Sequence, residues 1–427
     1  MAVANDTVPN GAMLTDEIPD ELMLEIFKYF GNHNKICEML EDVSKRFRRL
    51  VDDPVLVRDL CKRGKCFHAD DIENCIDINP GRVHMLELFD CEDLDTSIIK
   101  FIFRNNPNIH YLSLCRSELE CESMIGLADA LTENSTLKRL DLQENYISNE
   151  GVGYLVNVLK RNTSIKMIDL SRNLINQAAL NLLVNIFDTN FTIETLYLDY
   201  NRDLEDGNYG IQALANALER NISLDSINLS DCLIGDAARS IFEKLQFNTV
   251  VTEIDLYHNV ITGDSMRDLS NTLGCNTTIT SINLNCNPID SNGIRQLVNA
   301  LTENTTVKIL DIGTNPNYPE KNTYIADLIR TNSTIHTLNI EEIELRDDGI
   351  ISISNAIRGN TTLRKLNISN NNITNVGIQH FINVLRDNTT ICELDIDQDC
   401  NEDDIKFDDI YNDQLNDIIK RNISRRS

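Results

Sequence analysis

A nine-residue pattern, Leu-x-x-Leu-x-Leu-x-x-Asn, returns along most of this chain at a spacing of almost always 28 residues. It reads LKRLDLQEN at Leu137–Asn145, IKMIDLSRN at Ile165–Asn173, VTEIDLYHN at Val251–Asn259 and LRKLNISNN at Leu363–Asn371. The first apolar position falls at Val83, Ile109, Leu137, Ile165, Ile193, Leu224, Val251, Ile279, Val307, Ile335, Leu363 and Ile391. A fixed period of this length requires one supersecondary unit, repeated about twelve times, whose members bury their apolar faces against their neighbours.

The content of one unit follows from its spacing. Leu140 and Leu142 alternate with polar residues at a period of two, which predicts a short strand. Asn145 turns the chain, and its amide can bond backbone groups that the turn leaves unpaired. Val152, Leu155, Val156 and Leu159 then recur at helical spacing. The expected architecture is an α/β solenoid, with parallel strands lining a concave face and helices covering the convex one. An Asn-x-Ser/Thr triplet follows each helix, as at Asn134, Asn162, Asn276 and Asn332. Because it is locked to the repeat phase it reads as a helix-ending turn, with Asn in the left-handed conformation, rather than as a glycan acceptor.

Composition narrows the partners. The net charge of −28 opposes nucleic acid and anionic membranes, whose phosphates would be repelled, and suits a basic partner. No apolar run is long enough for a membrane span. The twelve cysteines form no Cys-x-x-Cys pair, so neither a zinc site nor a disulfide framework is indicated, and reduced thiols in the cytoplasm or nucleus are expected. The sequence holds no phosphate-binding glycine loop, no His-Glu-x-x-His and no Gly-x-Ser-x-Gly. No catalytic residue, metal or cofactor is expected.

The N-terminal part has another character. Residues 1–15 are polar and read as a disordered lead. From Asp16 the text becomes DEIPDELMLEIFKYF, with Leu22, Ile26, Phe27 and Phe30 on one helical face. Ile18-Pro19-x-Glu21-Leu22 resembles the opening Leu-Pro-x-Glu-Leu of an F-box. Leu24, Ile26, Phe27, Tyr29 and Phe30 follow that family's first helix, and Val43-Ser44-Lys45-Arg46-Phe47 resembles its Val-Cys-Lys-x-Trp core. Pro54-x-Leu56-x-Arg58 is similar to the closing stretch, while Ser44, Phe47 and Val57 depart from the family's Cys, Trp and Trp. The repeats in turn resemble the ribonuclease-inhibitor type of leucine-rich repeat, whose implied form is a horseshoe.

The expected organisation is an F-box-like helical domain at 16–60, a linker at 61–82, the solenoid at 83–405 and a C-terminal helix and cap at 406–427. The F-box resemblance implies docking on a Skp-type adaptor, and through it a cullin, by Ile18, Pro19, Leu22, Leu24, Ile26, Phe27 and Val43. The solenoid would then present a protein substrate for ubiquitin transfer. Two alternatives use the same repeats: a stand-alone inhibitor or scaffold for a basic protein, and a Ran-type GTPase-activating protein. No catalytic residue of the latter family can be matched here.

Candidate substrate-binding residues come from the irregular units. An Asp or Asn sits between the two buried strand positions at Asp141, Asp169, Asn228, Asp255, Asn283, Asp311, Asn339, Asn367 and Asp395, and reads as structural hydrogen bonding. Tyr197 breaks this row in a unit of 31 residues, and Tyr200 follows. Two units on, Tyr257 and His258 are read as the corresponding pair, about 10 Å away at the strand spacing. Tyr anchors with acidic neighbours Asp199, Glu253 and Asp255 would suit a Lys or Arg of the substrate. Glu341 and Glu342 open a unit whose Asn is replaced by Ile343, where a local distortion is expected.

Overall fold

A computed structural model describes residues 84–91, 94–204, 207–316, 319–396 and 409–425. The F-box-like segment and its candidate residues Ile18, Pro19, Leu22, Leu24, Ile26, Phe27 and Val43 lie outside the described residues. The chain divides into two compact units, Met1–Leu170 and Ser171–Ser427. In the first, strands β1 (Met85–Phe89), β2 (Tyr111–Cys115), β3 (Arg139–Asp141) and β4 (Met167–Asp169) alternate with helices. In the second, β5 (Thr195–Tyr197), β6 (Ser226–Asn228), β7 (Glu253–Asp255) and β8 (Ser281–Asn283) are followed by β9 (Ile309–Asp311), β10 (Thr337–Asn339), β11 (Lys365–Asn367) and β12 (Glu393–Asp395).

Within each unit every strand pairs in parallel with the next, and the buried leucine positions stay in register. Leu86 faces Leu112, then Leu140 and Ile168. In the second unit Leu196, Ile227, Ile254, Ile282, Leu310, Leu338 and Leu366 form one buried row, which the half-buried Leu394 ends. The intervening helices bury the apolar stripe that their spacing predicts: in the helix Asn149–Leu159, Val152, Leu155, Val156 and Leu159 are all buried. The fold is an α/β solenoid.

The repeat Asn is the joint between turns. Asn145 accepts from the backbone amides of Ser117 (2.8 Å) and Leu119 (3.4 Å) one turn earlier, and donates to Leu114 O (2.7 Å) and Leu142 O (3.0 Å). Asn259 holds the amides of Cys232 and Ile234 in the same way; Asn287 holds Asn259 and Ile261, and Asn371 holds Ile343 and Leu345. In these four turns the residue between the two gripped amides lies in the left-handed region. Glu118, Leu233, Val260 and Glu344 accordingly have φ of +46°, +55°, +60° and +52°. These buried side chains satisfy the backbone groups of each turn, which would otherwise be orphaned.

The post-helix Asn works differently from the expectation. Asn134, Asn221 and Asn304 are extended, with φ of −87°, −71° and −71°, so left-handed helix ending is not their role. Asn162 instead accepts from the amides of Ser164 and Ile165 and donates back to Leu131 O and Asn134 O of the preceding turn. It is buried, as are Asn276, Asn304 and Asn332, so no glycan fits there without tearing the turn. The last helix, Asp409–Ser424, continues the motif: Asn422 donates to Ile391 O (2.7 Å) and Asn388 O (3.2 Å), while Leu415 and Ile418 are buried.

The expected distortion at Glu341 and Glu342 is confined to the turn. β10 keeps its register with both neighbours and Asn371 still holds the Ile343 amide, although Ile343 has no side-chain oxygen with which to grip the turn before it. The irregularity is a third left-handed residue, Arg346, after Glu342 and Glu344.

Candidate functional site

The strand face is lined by the Asp/Asn row, and its members are occupied with one another. Asn283 accepts from the Asn285 amide and donates to Asp255 (3.2 Å); Asn339 accepts from the Glu341 amide and donates to Asp311 (2.9 Å). Each of these two Asn side chains therefore closes its own turn and ties it to the previous one, which is a structural task.

One stretch of this face goes further. Gly313 leaves a gap in the turn after β9, and the Glu341 carboxylate crosses it to reach Asn285 Nδ2 (3.1 Å), two turns away, while taking Asn367 Nδ2 (2.7 Å) from the turn after. A Cβ on Gly313 would stand 2.9 Å from both Asn285 Nδ2 and Glu341 Cγ. Burial, with Glu341 nearby, pushes the Asp311 carboxyl up to about 6 despite the hydrogen bonds it accepts.

The aromatic patch is built on the turn edge rather than the strand face. Aligned by the repeat Asn, Tyr257 matches Asp199 and His258 matches Tyr200, so the two pairs are offset from the expected correspondence. Tyr197, in β5, shares its row with Asn228 and Asp255 through the strand register. Tyr200 and His258 are both left-handed, with φ of +59° and +52°. Tyr257 is 36% exposed and its ring sits 5.9 Å from that of His258. Burial, with Cys286 and Tyr200 beside it, raises the Tyr257 hydroxyl, so it is a neutral donor.

Asp199 and Asp255 are not open to a basic partner in the way expected. Asp199 accepts from Ser171 Oγ (2.5 Å) and Asn228 Nδ2 (3.2 Å), and burial raises its carboxyl. Asp255 accepts from Ser230 Oγ (2.7 Å), the Tyr257 amide (2.9 Å) and Asn283. Glu253 is exposed and takes a long bond from Ser226 Oγ (3.4 Å).

Sequence reasoning missed three members of this site: Arg172, Arg202 and Asp231. Arg172 lies over the Tyr200 ring at 3.8 Å, and Arg202 stands 6.0 Å from the same centroid. Arg202 then reaches one turn on to Asp231, with Nε to Oδ1 at 3.1 Å and Nη2 to Oδ2 at 2.5 Å. From the following turn, His258 places Nδ1 2.9 Å from the same carboxylate. The Asp231 side chain is only 3% exposed. Burial pushes its carboxyl up, but the bonds from Arg202 and His258 outweigh this and hold it below the usual range. A signal for Arg202 exists: it follows the repeat Asn of the 31-residue unit, and that insertion gives it the room to lie along the edge.

The residues seven places after each first apolar position form a row of left-handed turn residues. In the first unit they include Asp90, Arg116 and Glu144, with Arg116 Nε 3.4 Å from Asp90 and 3.3 Å from Glu144. In the second they run Arg172, Tyr200, Asp231, His258, Cys286, Thr314, Glu342 and Asn370. Among the described residues no cluster could hold a metal ion, and no helix is long and apolar enough to cross a membrane.

Comparison with known proteins agrees with this architecture. Residues 15–63 match the F-box-like family, and residues 133–156, 275–298 and 359–381 match a leucine-rich repeat family. No curated protein matches the chain. Among solved structures, yeast Rad7, in a complex with Elc1, is similar over 90% of this chain and 92% of its own at 14% identity, with a TM-score of 0.50. An internalin from Listeria monocytogenes is similar over 87% of this chain and 95% of its own at 17% identity (TM-score 0.47). The second actin-binding site of leiomodin-1 covers 35% of this chain and 84% of its own at 22% identity (TM-score 0.31). The chain carries an F-box-like domain followed by leucine-rich repeats.

Proposed function

We propose that this chain is the substrate receptor of an SCF-type cullin-RING ubiquitin ligase. The observation that carries the reading is the F-box-like match at 15–63, ahead of a leucine-rich solenoid on the same chain. In it, Ile18, Pro19, Leu22, Leu24, Ile26, Phe27 and Val43 contact a Skp-type adaptor, which links to the cullin. The turn edge around Tyr200, Tyr257 and His258 holds a protein substrate, and Glu253, at the start of β7, adds an exposed carboxylate on the strand that leads to Tyr257. The chain breaks and makes no bond itself. It raises the local concentration of substrate lysines at an active site carried by another subunit, the proximity effect that converts an encounter into an intramolecular step. The cysteines of the described residues form no disulfide, which fits the reducing cytoplasm or nucleus, where such a ligase operates.

The test is direct binding of the purified full chain to a Skp-type adaptor, beside a Leu22→Asp/Phe27→Ala variant with an unchanged melting curve. We expect submicromolar binding by the wild type and at least a tenfold loss in the variant. A folded wild type that does not bind the adaptor overturns the ligase reading and leaves a scaffold or inhibitor for a basic protein.

A further inference from the structure

The left-handed turn row of the second unit is occupied by long side chains as far as His258. Arg172 covers Tyr200, Arg202 joins Tyr200 to Asp231, and His258 closes on Asp231. The next two positions, Cys286 and Thr314, carry short side chains, and the row resumes at Glu342. A cavity of about 530 Å³ opens there, with His258 at one end of the row and Glu342 at the other. Its floor is Val260, Pro288 and Pro316, and Glu344 joins Glu342 on the acidic side.

The floor is apolar and is presented outward by the fold itself. Asn287 grips the amides of Asn259 and Ile261, so Val260 between them is held left-handed at φ +60° and stays 49% exposed. A β-branched residue adopts that conformation at a cost and persists only where its surroundings over-determine it. Cys286 adds to this lining as a neutral thiol, because burial raises it.

Charge selects the occupant. The basic group among the lining residues, His258, is already directed at Asp231. Glu342 receives a long bond from Thr314 Oγ1 (3.4 Å), and Glu344 is paired to the exposed Arg346 (3.0 Å). The chain as a whole carries −28, which opposes a second copy or an acidic segment seated there. We infer that this cavity receives an Arg or Lys side chain of a protein substrate, its stem on Val260, Pro288 and Pro316 and its cationic head on Glu342. This deepens the receptor reading and rests on it, because the cavity adjoins Tyr257 through Cys286.

The experiment uses the full chain and a phage-displayed random dodecapeptide library, selected on wild type and counter-selected on Glu342→Lys and on Cys286→Arg, the latter supplying the missing cation from the chain itself. Variants are accepted only with wild-type melting curves. We expect enriched peptides with an Arg or Lys flanked by apolar residues, lost on both variants. In fluorescence anisotropy, the best peptide should bind at least tenfold more weakly when that cation is replaced by Ala. Enrichment of acidic peptides, enrichment indifferent to both variants, self-association in place of peptide capture, or no enrichment above uncoated wells each overturns the inference. Adaptor binding is measured on the same preparations. Its survival with loss of peptide specificity condemns only the cavity, and its absence with peptide specificity intact condemns only the ligase reading.

Discussion

At the scale of single residues, the solenoid places groups where their ordinary titration behaviour cannot hold. Asp311 is the clearest. Its folded carboxyl titrates at about 6, above the 3.8 of the unfolded chain, so the folded state keeps its proton longer. Its contribution to stability is therefore full below pH 3.8 and is lost as pH rises through about 6, amounting to at most about 3 kcal/mol. Urea titrations between pH 4 and 7 should show this decline in the wild type and a flatter profile in Asp311→Asn. An unchanged slope would remove Asp311 as its source. In the sequence Asp311 is one more member of a row, because the feature that singles it out, Glu341 laid across Gly313, joins residues in different turns. Lys321 is equally illegible there. It stands where other turns have Gly293, Gly349 or Gly377, yet it is buried and donates to Asn315 O and Pro316 O at 2.9 Å each.

At the scale of one turn, the repeat Asn replaces several backbone pairings. Asn287 takes two amides and donates to Leu256 O, Leu284 O and Asn285 O. Replacing it with Ala strands all of these inside the stack, and we expect a loss of about 2–4 kcal/mol in urea unfolding. By contrast, Asn271→Ala, at an exposed position of the helix Met266–Leu273, should stay within about 0.5 kcal/mol of wild type. The strand, the Asn turn and the helix stripe are readable in the sequence because each rests on spacing within one unit. The left-handed residues are not, since Val260 and Leu233 have no sequence signal for that conformation. It accompanies a grip by an Asn one turn later, Asn259 for Leu233 and Asn287 for Val260. The same limit applies to Tyr257 and His258: aromatic character pairs them with Tyr197 and Tyr200, whereas register counted from the repeat Asn pairs them with Asp199 and Tyr200.

At the scale of the molecule, the stack of the second unit ends in a closure rather than an exposed last turn. Arg421 donates to Arg386 O and Asn388 O, both at 2.7 Å, and Asn422 repeats the inter-turn amide bonds. Deleting residues 409–427 uncovers the turn of β12, and we expect Tm to fall by roughly 5 °C or more. A truncated chain that melts with the wild type would show that the helix is dispensable. The acidic balance was legible from composition, and the two family matches from short ordered motifs. The edge site was not, because Arg202 and Asp231 belong to different turns and meet only when the stack forms.

Stacks of this kind normally couple each turn only to the one beside it, which lets them fray from either end in small steps. The Glu341 carboxylate breaks that rule by bonding Asn285 across the glycine gap as well as Asn367 in the next turn, so one fastening joins the turns of β8, β10 and β11 and encloses that of β9. They should open together, as a single block inside an otherwise graded array. In native-state hydrogen exchange, amides of these four turns should show one common opening free energy, and Glu341→Gln should split it into separate values.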